Sequence, residues 1–358
     1  MNMINEFSGR LQLIEEALNK AININFDNSW QNASFGDLPS GVKKEHIQKL
    51  IEPNKNLVDL GGKRWRPLLL LLSAELAAKN NKCILSQQQI LSLVPLVEFV
   101  HTASLIHDDI EDSADYRRGK PAAHITYGLD TALNAASWLY FEAPVCLNDS
   151  LLPQELSLKL YKLYTNELRR LHLGQAMDIY WHREKTLFPQ IDEYKAMVKC
   201  KTGTLASLAA KTGILAGGGN QEQADKIGSL AANIGIGFQI IDDVINLTCG
   251  NPGKKRGDDI VEGKKSLPVL LHIQQKPQDK EQISRLMTKA AEQGINSAAV
   301  EECIHLLESS DCIKTAASQG KQLILENCTA ISDFYENGKE ISDLIIKLFN
   351  SMIPEAFK

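Results

Sequence analysis

The chain has 358 residues, of which 44% are hydrophobic and 23% are charged, and its formal net charge at pH 7 is −5. This composition suffices to bury a large core, and the absence of polybasic stretches argues against nucleic acid as a partner. The seven cysteines are scattered, with no Cys-x-x-Cys pair. That pattern is typical of reduced thiols in the cytoplasm and not of a disulfide framework or a zinc site.

Apolar residues recur every three or four positions along most of the chain, whereas alternating strand patterns are scarce. The periodic stretches are Phe7–Ile22, Arg66–Lys79, Gln87–Asp112, Thr131–Leu147, Gln154–Tyr180, Asp192–Ala216, Gln221–Leu247 and Ser310–Asn327. No Pro/Gly/Ser-rich linker or shift in composition divides the chain. The sequence therefore predicts an all-α fold in a single domain over residues 1–358.

Neither a membrane span nor a secretory signal is expected. The strongest apolar run, Leu68–Leu72, is too short to cross a bilayer and lies between Arg66 and Glu75. The segment Met1–Arg10 lacks a basic stretch followed by an apolar core. We expect a cytoplasmic protein.

Two acidic clusters, Asp108–Asp112 and Asp242–Asn246, lie inside long apolar helical stretches. Adjacent carboxylates repel one another, and their burial costs several kcal/mol unless a cation or hydrogen-bond donors compensate them. At helical spacing Asp108 and Asp112 share one face, as do Asp242 and Asn246. The two clusters predict a shared ligand, for which magnesium diphosphate is the natural choice.

Three basic segments accompany these clusters: Gly61–Pro67, Arg117–Pro121 and Lys254–Lys264. Guanidinium groups hold phosphate oxygens bidentately, and the first segment also opens a helix whose N-terminal dipole attracts anions. Taken singly, each has an ordinary alternative: a surface Arg–Asp network, a solvated charge run or a Gly-rich helix start. Taken together, they suggest a ligand set with two polyanionic ends.

In this order and spacing, the motifs resemble those of the trans-isoprenyl diphosphate synthase (polyprenyl synthetase) family, over about residues 61–268. The matching motifs are Gly62-Lys63-x-x-Arg66-Pro67, His101, Asp108-Asp109-x-x-Asp112, Arg117-Arg118-Gly119, Lys201-Thr202-Gly203, Phe238-Gln239-x-x-Asp242-Asp243, Lys254-x-x-Gly257-x-Asp259 and Gly263-Lys264. Within the family the chain is most similar to eukaryotic-type geranylgeranyl diphosphate synthases, which commonly have Asn where this chain has Asn246. His107 is instead typical of other branches.

The resemblance implies a helical bundle of the isoprenoid synthase type around a deep central cavity, a homodimer and Mg²⁺-dependent, head-to-tail condensation of isopentenyl diphosphate with an allylic diphosphate. It implies catalytic roles for Asp108, Asp112, Asp242, Lys201, Thr202 and Gln239, of which the three aspartates bind the metal. For isopentenyl diphosphate the matching positions are Lys63, Arg66, His101 and Arg118. For the allylic diphosphate they are Arg117, Lys201, Thr202, Gln239, Lys254 and Lys264.

Product length should follow from the depth of the apolar pocket below the first cluster. Ala103 and Ser104 are small and leave room for a long chain, and Tyr140, Phe141 and His172 match positions that limit growth in the eukaryotic-type group. Ordinary packing of aromatic side chains is the alternative. We expect a twenty-carbon product, geranylgeranyl diphosphate, with farnesyl or longer polyprenyl products as the alternative.

Two other functions remain open. A class I terpene synthase shares the all-α fold and an Asp-rich motif, but its second metal motif is absent around Asp242–Gly250 and it would need no isopentenyl site. A non-catalytic subunit of a heteromeric prenyl synthase would usually have degraded aspartate clusters. The C-terminal third, from about Leu270, has helical pattern without motifs and is expected to act as scaffold.

Overall fold

The computed structural model describes residues 3–149, 151–250 and 255–357, and within them the chain is almost entirely helical, which confirms the predicted all-α fold. The helices are α1 (Met3–Ala21), α2 (Asn28–Phe35), α3 (Lys44–Asp59), α4 (Trp65–Asn80), α5 (Gln87–Leu91), α6 (Pro95–Glu111), α7 (Ala123–Tyr127), α8 (Leu129–Glu142), α9 (Gln154–Arg183), α10 (Ile191–Val198), α11 (Thr204–Ala216), α12 (Gln221–Thr248), α13 (Asp258–Glu262), α14 (Leu267–Gln275), α15 (Lys280–Gln293), α16 (Ala298–Glu308), α17 (Cys312–Phe334) and α18 (Lys339–Asn350). The strands of the described residues, β1 (Tyr116–Arg117) and β2 (Lys120–Pro121), form one antiparallel pair.

The helices group into two compact units, each built from separate stretches of the chain. The first comprises Met1–Asn166, Leu208–Gly228 and Tyr335–Ile345, and the second comprises Glu167–Ser207, Ser229–Phe334 and Ile346–Lys358. In the first unit α8 packs against both α6 and α3. In the second, α15 packs against α16 and α14 packs against α17.

The core of the first unit contains the most apolar segment of the chain. All five leucines of Leu68–Leu72 in α4 are buried, as the sequence predicts for a core helix. Helix α6 begins with Pro95, whose missing N–H costs nothing in the first turn of a helix. Its buried residues include Leu96, Phe99 and Ala103, so one face of α6 is fixed in the core while its C-terminal turn carries the first acidic cluster.

In the second unit, the connection between α10 and α11 lies close to α9. Helices α10 and α11 are joined by a π-helical turn, Lys199–Gly203, and such turns are frequent at functional sites. Gly174 of α9 lies directly against this turn, because a Cβ at Gly174 would come within 3 Å of backbone atoms of Cys200 and Lys201. A larger residue at Gly174 would push the turn away from α9.

Two helical stretches of the described residues, Gln87–Glu111 and Gln221–Thr248, are long and apolar enough to cross a membrane by length and composition. Their most apolar windows are 61% and 67% buried inside the protein. Core helices meet the same criterion, so these stretches are weak evidence for a membrane span.

Candidate active site

The loop before α4 and the loop after α6 meet in the first unit through Arg118. Its Nη1 donates to the carbonyl oxygen of Gly61 and, at 3.3 Å, to that of Leu57. Burial and the neighbouring charge of Arg64 lower the pKa of Arg118 from its ordinary value, although the Glu98 carboxylate opposes this change. The structure thus brings the first two basic segments together.

His101 on α6 lies beside Arg66 of α4, with 3.2 Å between His101 Nε2 and Arg66 Nη1. Because a guanidinium can only donate, Nε2 must be the acceptor and the ring proton must reside on Nδ1. Burial lowers the pKa of His101 well below its ordinary value, and the charges of Arg66 and Arg118 lower it further. At neutral pH His101 is therefore an uncharged imidazole with one N–H donor, positioned by an arginine.

Arg64, to which the sequence assigned no role, caps the start of α4 within the first basic segment. Its guanidinium is buried and donates to Glu98 at 2.6 Å, to Glu15 at 2.7 Å and to the carbonyl oxygen of Val58 at 2.6 Å. Its backbone is left-handed, with φ of 46°. Arg64 lies immediately before α4, between Lys63 and Arg66 in the sequence. Its contacts therefore fix the start of α4. Lys63 itself is exposed.

The first acidic cluster occupies the C-terminal turn of α6, and its carboxylates differ in burial. Asp109 is 1% exposed and accepts two bonds from Arg117 Nε, at 2.8 and 3.1 Å, and a further bond from Nη2. Asp108 and Asp112 are only half-buried. Carboxylates at the negative end of a helix dipole raise the local demand for a cation. Arg117, which the resemblance assigned to the allylic diphosphate, is here bonded to Asp109 of the first acidic cluster.

The positions expected to limit product length separate in the structure. Ala103 is fully buried, and the Ser104 hydroxyl donates to the carbonyl oxygen of His101 at 2.8 Å. Tyr140 on α8 is buried and stacks on His107, with 5.4 Å between ring centroids. Phe141, by contrast, is 78% exposed. Tyr140 and His107 therefore form an aromatic layer close to Asp108 of the first cluster.

In the second unit a buried carboxylate joins two of the predicted lysines. Lys201 Nζ donates to Asp178 of α9 at 2.7 Å. Burial alone would raise the pKa of Asp178, but the charges of Lys201 and Lys264 hold it below its ordinary value. Lys264 also pairs with Glu262 at 2.5 Å. Lys201 and Lys264 thus belong to one cluster, whose carboxylate the sequence motifs did not identify. His172, also on α9, is exposed.

A chain of hydrogen bonds connects Thr202 with the second acidic cluster. Thr202 Oγ1 donates to Gln239 Oε1 at 2.9 Å, and Gln239 Nε2 donates to Asp243 Oδ1 at 3.1 Å. Asp243 Oδ2 accepts from the Tyr194 hydroxyl at 2.6 Å and from the backbone N–H of Leu267 at 3.2 Å. Burial raises the pKa of Asp243 to about 6. Asp243 on α12 therefore bonds to α10 and to the start of α14, and it holds these three helices together.

The remaining polar residues of the second cluster, Asp242 and Asn246, differ in burial, as the aspartates of the first cluster do. Asp242 is half-buried, whereas Asn246 is 1% exposed and its Oδ1 accepts from the backbone N–H of Asp259 at 3.3 Å. Asn246 thus has a bond within the protein, which the shared helical face did not predict. Lys254, assigned to the allylic diphosphate, lies outside the described residues.

The acidic residues supply the hard oxygen donors that Mg²⁺ prefers. Within residues 3–149, 151–250 and 255–357, no group of three or more His, Cys, Asp or Glu side chains lies close enough to hold a metal ion by itself. Mg²⁺ usually keeps several waters and takes one or two carboxylates together with substrate phosphates. Half-buried Asp108 and Asp112 in the first unit, and half-buried Asp242 in the second, each supply carboxylates of that kind.

Known proteins resemble this chain in sequence and in fold. The geranylgeranyl diphosphate synthase of Sulfolobus acidocaldarius is 32% identical over 295 residues, 81% of this chain and 84% of the relative. The geranylgeranyl pyrophosphate synthase dpmaD of Metarhizium anisopliae is also 32% identical, over 86% of this chain and 90% of the relative. The crystal structure of geranylgeranyl pyrophosphate synthetase from Pyrococcus horikoshii superposes with a TM-score of 0.80 at 26% identity, covering 98% of this chain and 97% of that one.

A model of one protein family also matches most of the chain. The relatives from Sulfolobus and from Metarhizium are each 32% identical to this chain. This equality does not distinguish a eukaryotic-type enzyme from other branches, and that assignment stays a prediction. The polyprenyl synthetase model covers residues 47–307, which include both acidic clusters and all three basic segments. The chain belongs to the polyprenyl synthetase family, the trans-isoprenyl diphosphate synthases.

Proposed function

We propose that this chain is a Mg²⁺-dependent trans-prenyltransferase that condenses isopentenyl diphosphate with an allylic diphosphate and releases geranylgeranyl diphosphate. The observation that carries the proposal is the anion site of the first unit, where Arg66 contacts neutral His101 and the charges of Arg66 and Arg118 both act on its ring. Such a site binds a diphosphate without metal. A terpene synthase, which ionises a single diphosphate, has no need of it.

The reaction breaks the C–O bond between the allylic carbon and its diphosphate, and the double bond of isopentenyl diphosphate then attacks the allylic cation. Asp108, Asp112 and Asp242 would hold Mg²⁺, which when bound supplies charge neutralisation for the departing diphosphate. Lys201 and Lys264 carry the positive charge that binds the leaving diphosphate in the second unit. The new carbon–carbon bond leaves one proton to be lost, and the released diphosphate accepts it.

Thr202 and Gln239 are proposed to stabilise positive charge on the reacting carbons. Their hydrogen bond fixes both side-chain dipoles, because Gln239 is held at its other end by Asp243. A dipole that is oriented before the reaction needs no reorganisation when the cation forms.

The twenty-carbon product is supported by the small residues Ala103 and Ser104 and by the aromatic layer of His107 and Tyr140. The named relatives from Sulfolobus and Metarhizium are geranylgeranyl diphosphate synthases. A floor at Tyr140 would stop growth only after several isoprene additions, since Ala103 and Ser104 of α6 are small.

A homodimer is proposed for the same chain. Leu129, Leu133 and Phe141 follow one another at intervals of four or eight residues on α8, and they are 56%, 44% and 78% exposed. A stripe of large apolar side chains on one helix face is typical of a protein interface. A second copy that covers this stripe would also bury Phe141, an exposed member of the expected chain-length set. A cytoplasmic location is supported by the seven cysteines, which are all free thiols.

The decisive experiment incubates the purified chain alone with Mg²⁺, labelled isopentenyl diphosphate and allylic primers of five, ten and fifteen carbons. We expect elongation to a twenty-carbon diphosphate, identified by mass spectrometry, and loss of turnover when EDTA removes the metal. Failure to elongate any primer would favour a non-catalytic subunit. Conversion of a primer to hydrocarbon without isopentenyl diphosphate would favour a terpene synthase.

A further inference from the structure

The segment 255–264, which contains α13, is joined to the end of α12 by two hydrogen bonds to Asn246, one to its backbone and one to its side chain. The carbonyl oxygen of Asn246 accepts from the N–H of Gly257 at 2.9 Å, and its side-chain Oδ1 accepts from the N–H of Asp259 at 3.3 Å. Helix α13 has five residues, too few to be stable alone. Its position therefore depends on outside contacts such as those of Asn246.

Arg256 supplies a second and stronger set of contacts to the same segment. Its Nε donates to the carbonyl oxygen of Leu247 in the last turn of α12, at 3.0 Å. Its Nη1 donates to Glu301 at 2.7 Å and its Nη2 donates to Glu308 at 3.0 Å, both on α16. One guanidinium thus links the segment, the end of α12 and α16, using donors on all three of its nitrogens.

Gly257 shows that this segment rests directly on α16. Its φ is +86°, a conformation that L side chains rarely adopt, and a Cβ there would collide with the side chain of Val300 and approach that of Ile304. The segment is therefore held against α16 by packing at Gly257 and by charge at Arg256.

The far end of the segment reaches the lysine cluster described above. The backbone N–H of Lys264 donates to the carbonyl oxygen of Asp259 at 2.9 Å, so Lys264 is fixed by α13. The Lys264 charge in turn acts on the buried carboxylate of Asp178, which is bonded to Lys201. A continuous series of contacts thus runs from α16 through Arg256 and α13 to the lysines.

We propose that Arg256 is a positioning residue for the allylic diphosphate, and that Glu301 and Glu308 of α16 act on substrate binding by anchoring it. The inference rests on the proposed function, since it concerns the same diphosphate. It assigns a role in specificity to a helix of the C-terminal third, for which the sequence motifs indicated only scaffold.

The alternative is an ordinary surface network. The Arg256 side chain is 30% exposed and those of Glu301 and Glu308 are 52% and 45% exposed, and pairs of this kind contribute little to stability. A surface network would leave substrate affinity unchanged. A positioning role would change the affinity for one substrate and leave the other alone.

The test compares Arg256→Met with the wild type in steady-state kinetics. We expect the KM for the allylic diphosphate to rise about fivefold, while the KM for isopentenyl diphosphate stays within about twofold. Glu301→Gln combined with Glu308→Gln should reproduce the effect, and Arg256→Met should then add little to it. Arg285→Met is the matched control, because Arg285 is an exposed arginine on the neighbouring helix α15. It should leave both KM values unchanged.

Amide hydrogen exchange gives a second readout that does not require turnover. In Arg256→Met the amides of Gly257 and Asp259 should exchange faster, whereas those of α14 should not. An unchanged allylic KM, an equal rise of both KM values, or unchanged exchange at Gly257 would overturn the inference. If the wild type elongates no primer, the proposed function fails, and binding of inorganic diphosphate with Mg²⁺ becomes the test. Equal affinity of wild type and Arg256→Met would then refute the positioning role, and weaker binding by Arg256→Met would support it.

Discussion

Replacing Arg64 with methionine removes a buried charge whose two carboxylate partners lie in very different surroundings. The Arg64 side chain is 1% exposed and that of Glu98 is 3% exposed, whereas that of Glu15 is 42% exposed. At the 2.6 Å separation of Arg64 and Glu98 the Coulomb attraction is about 6 kcal/mol with an effective dielectric constant near 20. Desolvation of the two ions offsets much of that attraction.

The expected loss of stability therefore comes mainly from the carboxylate left behind. In Arg64→Met, Glu98 stays buried without its cation, and we expect the free energy of unfolding to fall by about 3–5 kcal/mol. Glu15→Gln should cost less than about 1 kcal/mol, because its pair with Arg64 is half-exposed. Urea denaturation followed by circular dichroism measures both. Adding Glu98→Leu to Arg64→Met should restore part of the loss, since no buried charge then remains.

The same variants test the link from packing to the anion site. Arg64 fixes the start of α4, so Arg64→Met should raise the KM for isopentenyl diphosphate more than that for the allylic primer. A large loss in Glu15→Gln, equal to that in Arg64→Met, would refute the reasoning, because it would mean that burial does not set the cost. So would a double variant with Glu98→Leu that is less stable than Arg64→Met.

Three further predictions follow from the geometry. Tyr140→Ala should shift the product beyond twenty carbons in mass spectrometry, and unchanged products would exclude Tyr140 as the floor. Burial raises the pKa of Glu142 to about 7, although a bond from Ser34 opposes this change, so the folded state favours its neutral form. Stability should fall by about 3 kcal/mol as pH rises from the unfolded pKa of 4.5 through 7, and Glu142→Gln should abolish that slope in urea titrations at pH 5 and 8. Asp108→Ala should abolish turnover, whereas Asn246→Ala should retain activity with a raised allylic KM, and equal loss in both variants would assign Asn246 to the metal.

Helical periodicity predicted most of the helices but not their interruptions. The predicted stretch Gln221–Leu247 agrees with α12 to within a residue. The predicted Gln87–Asp112 is instead divided into α5 and α6, since Pro95 starts a new helix where the pattern of apolar residues continues. The predicted Asp192–Ala216 contains the π-helical turn Lys199–Gly203, which shifts the helix face by one residue without changing composition. Periodicity detects neither event.

The candidate site was predictable where partners lie near one another in the motifs. Arg117 and Asp109, eight residues apart, were expected to be neighbours and are bonded. Asp178 and Arg256 were missed, because Asp178 meets Lys201 across 23 positions and Arg256 meets Glu308 across 52. Contacts between distant positions depend on how helices pack, and that information is not present in the spacing of any single motif.

In both acidic clusters the two adjacent aspartates differ in burial and in their partners, which explains why each cluster contains such a pair. In each pair one carboxylate is buried and held by protein donors: Asp109 by Arg117, and Asp243 by Tyr194, Gln239 and a backbone N–H. Its neighbour, Asp108 or Asp242, remains half-buried and accessible to a ligand. The buried acid fixes the helix on which its half-buried neighbour lies. Repulsion between adjacent carboxylates is costly in the protein alone, and the cation of the proposed diphosphate complex would relieve it.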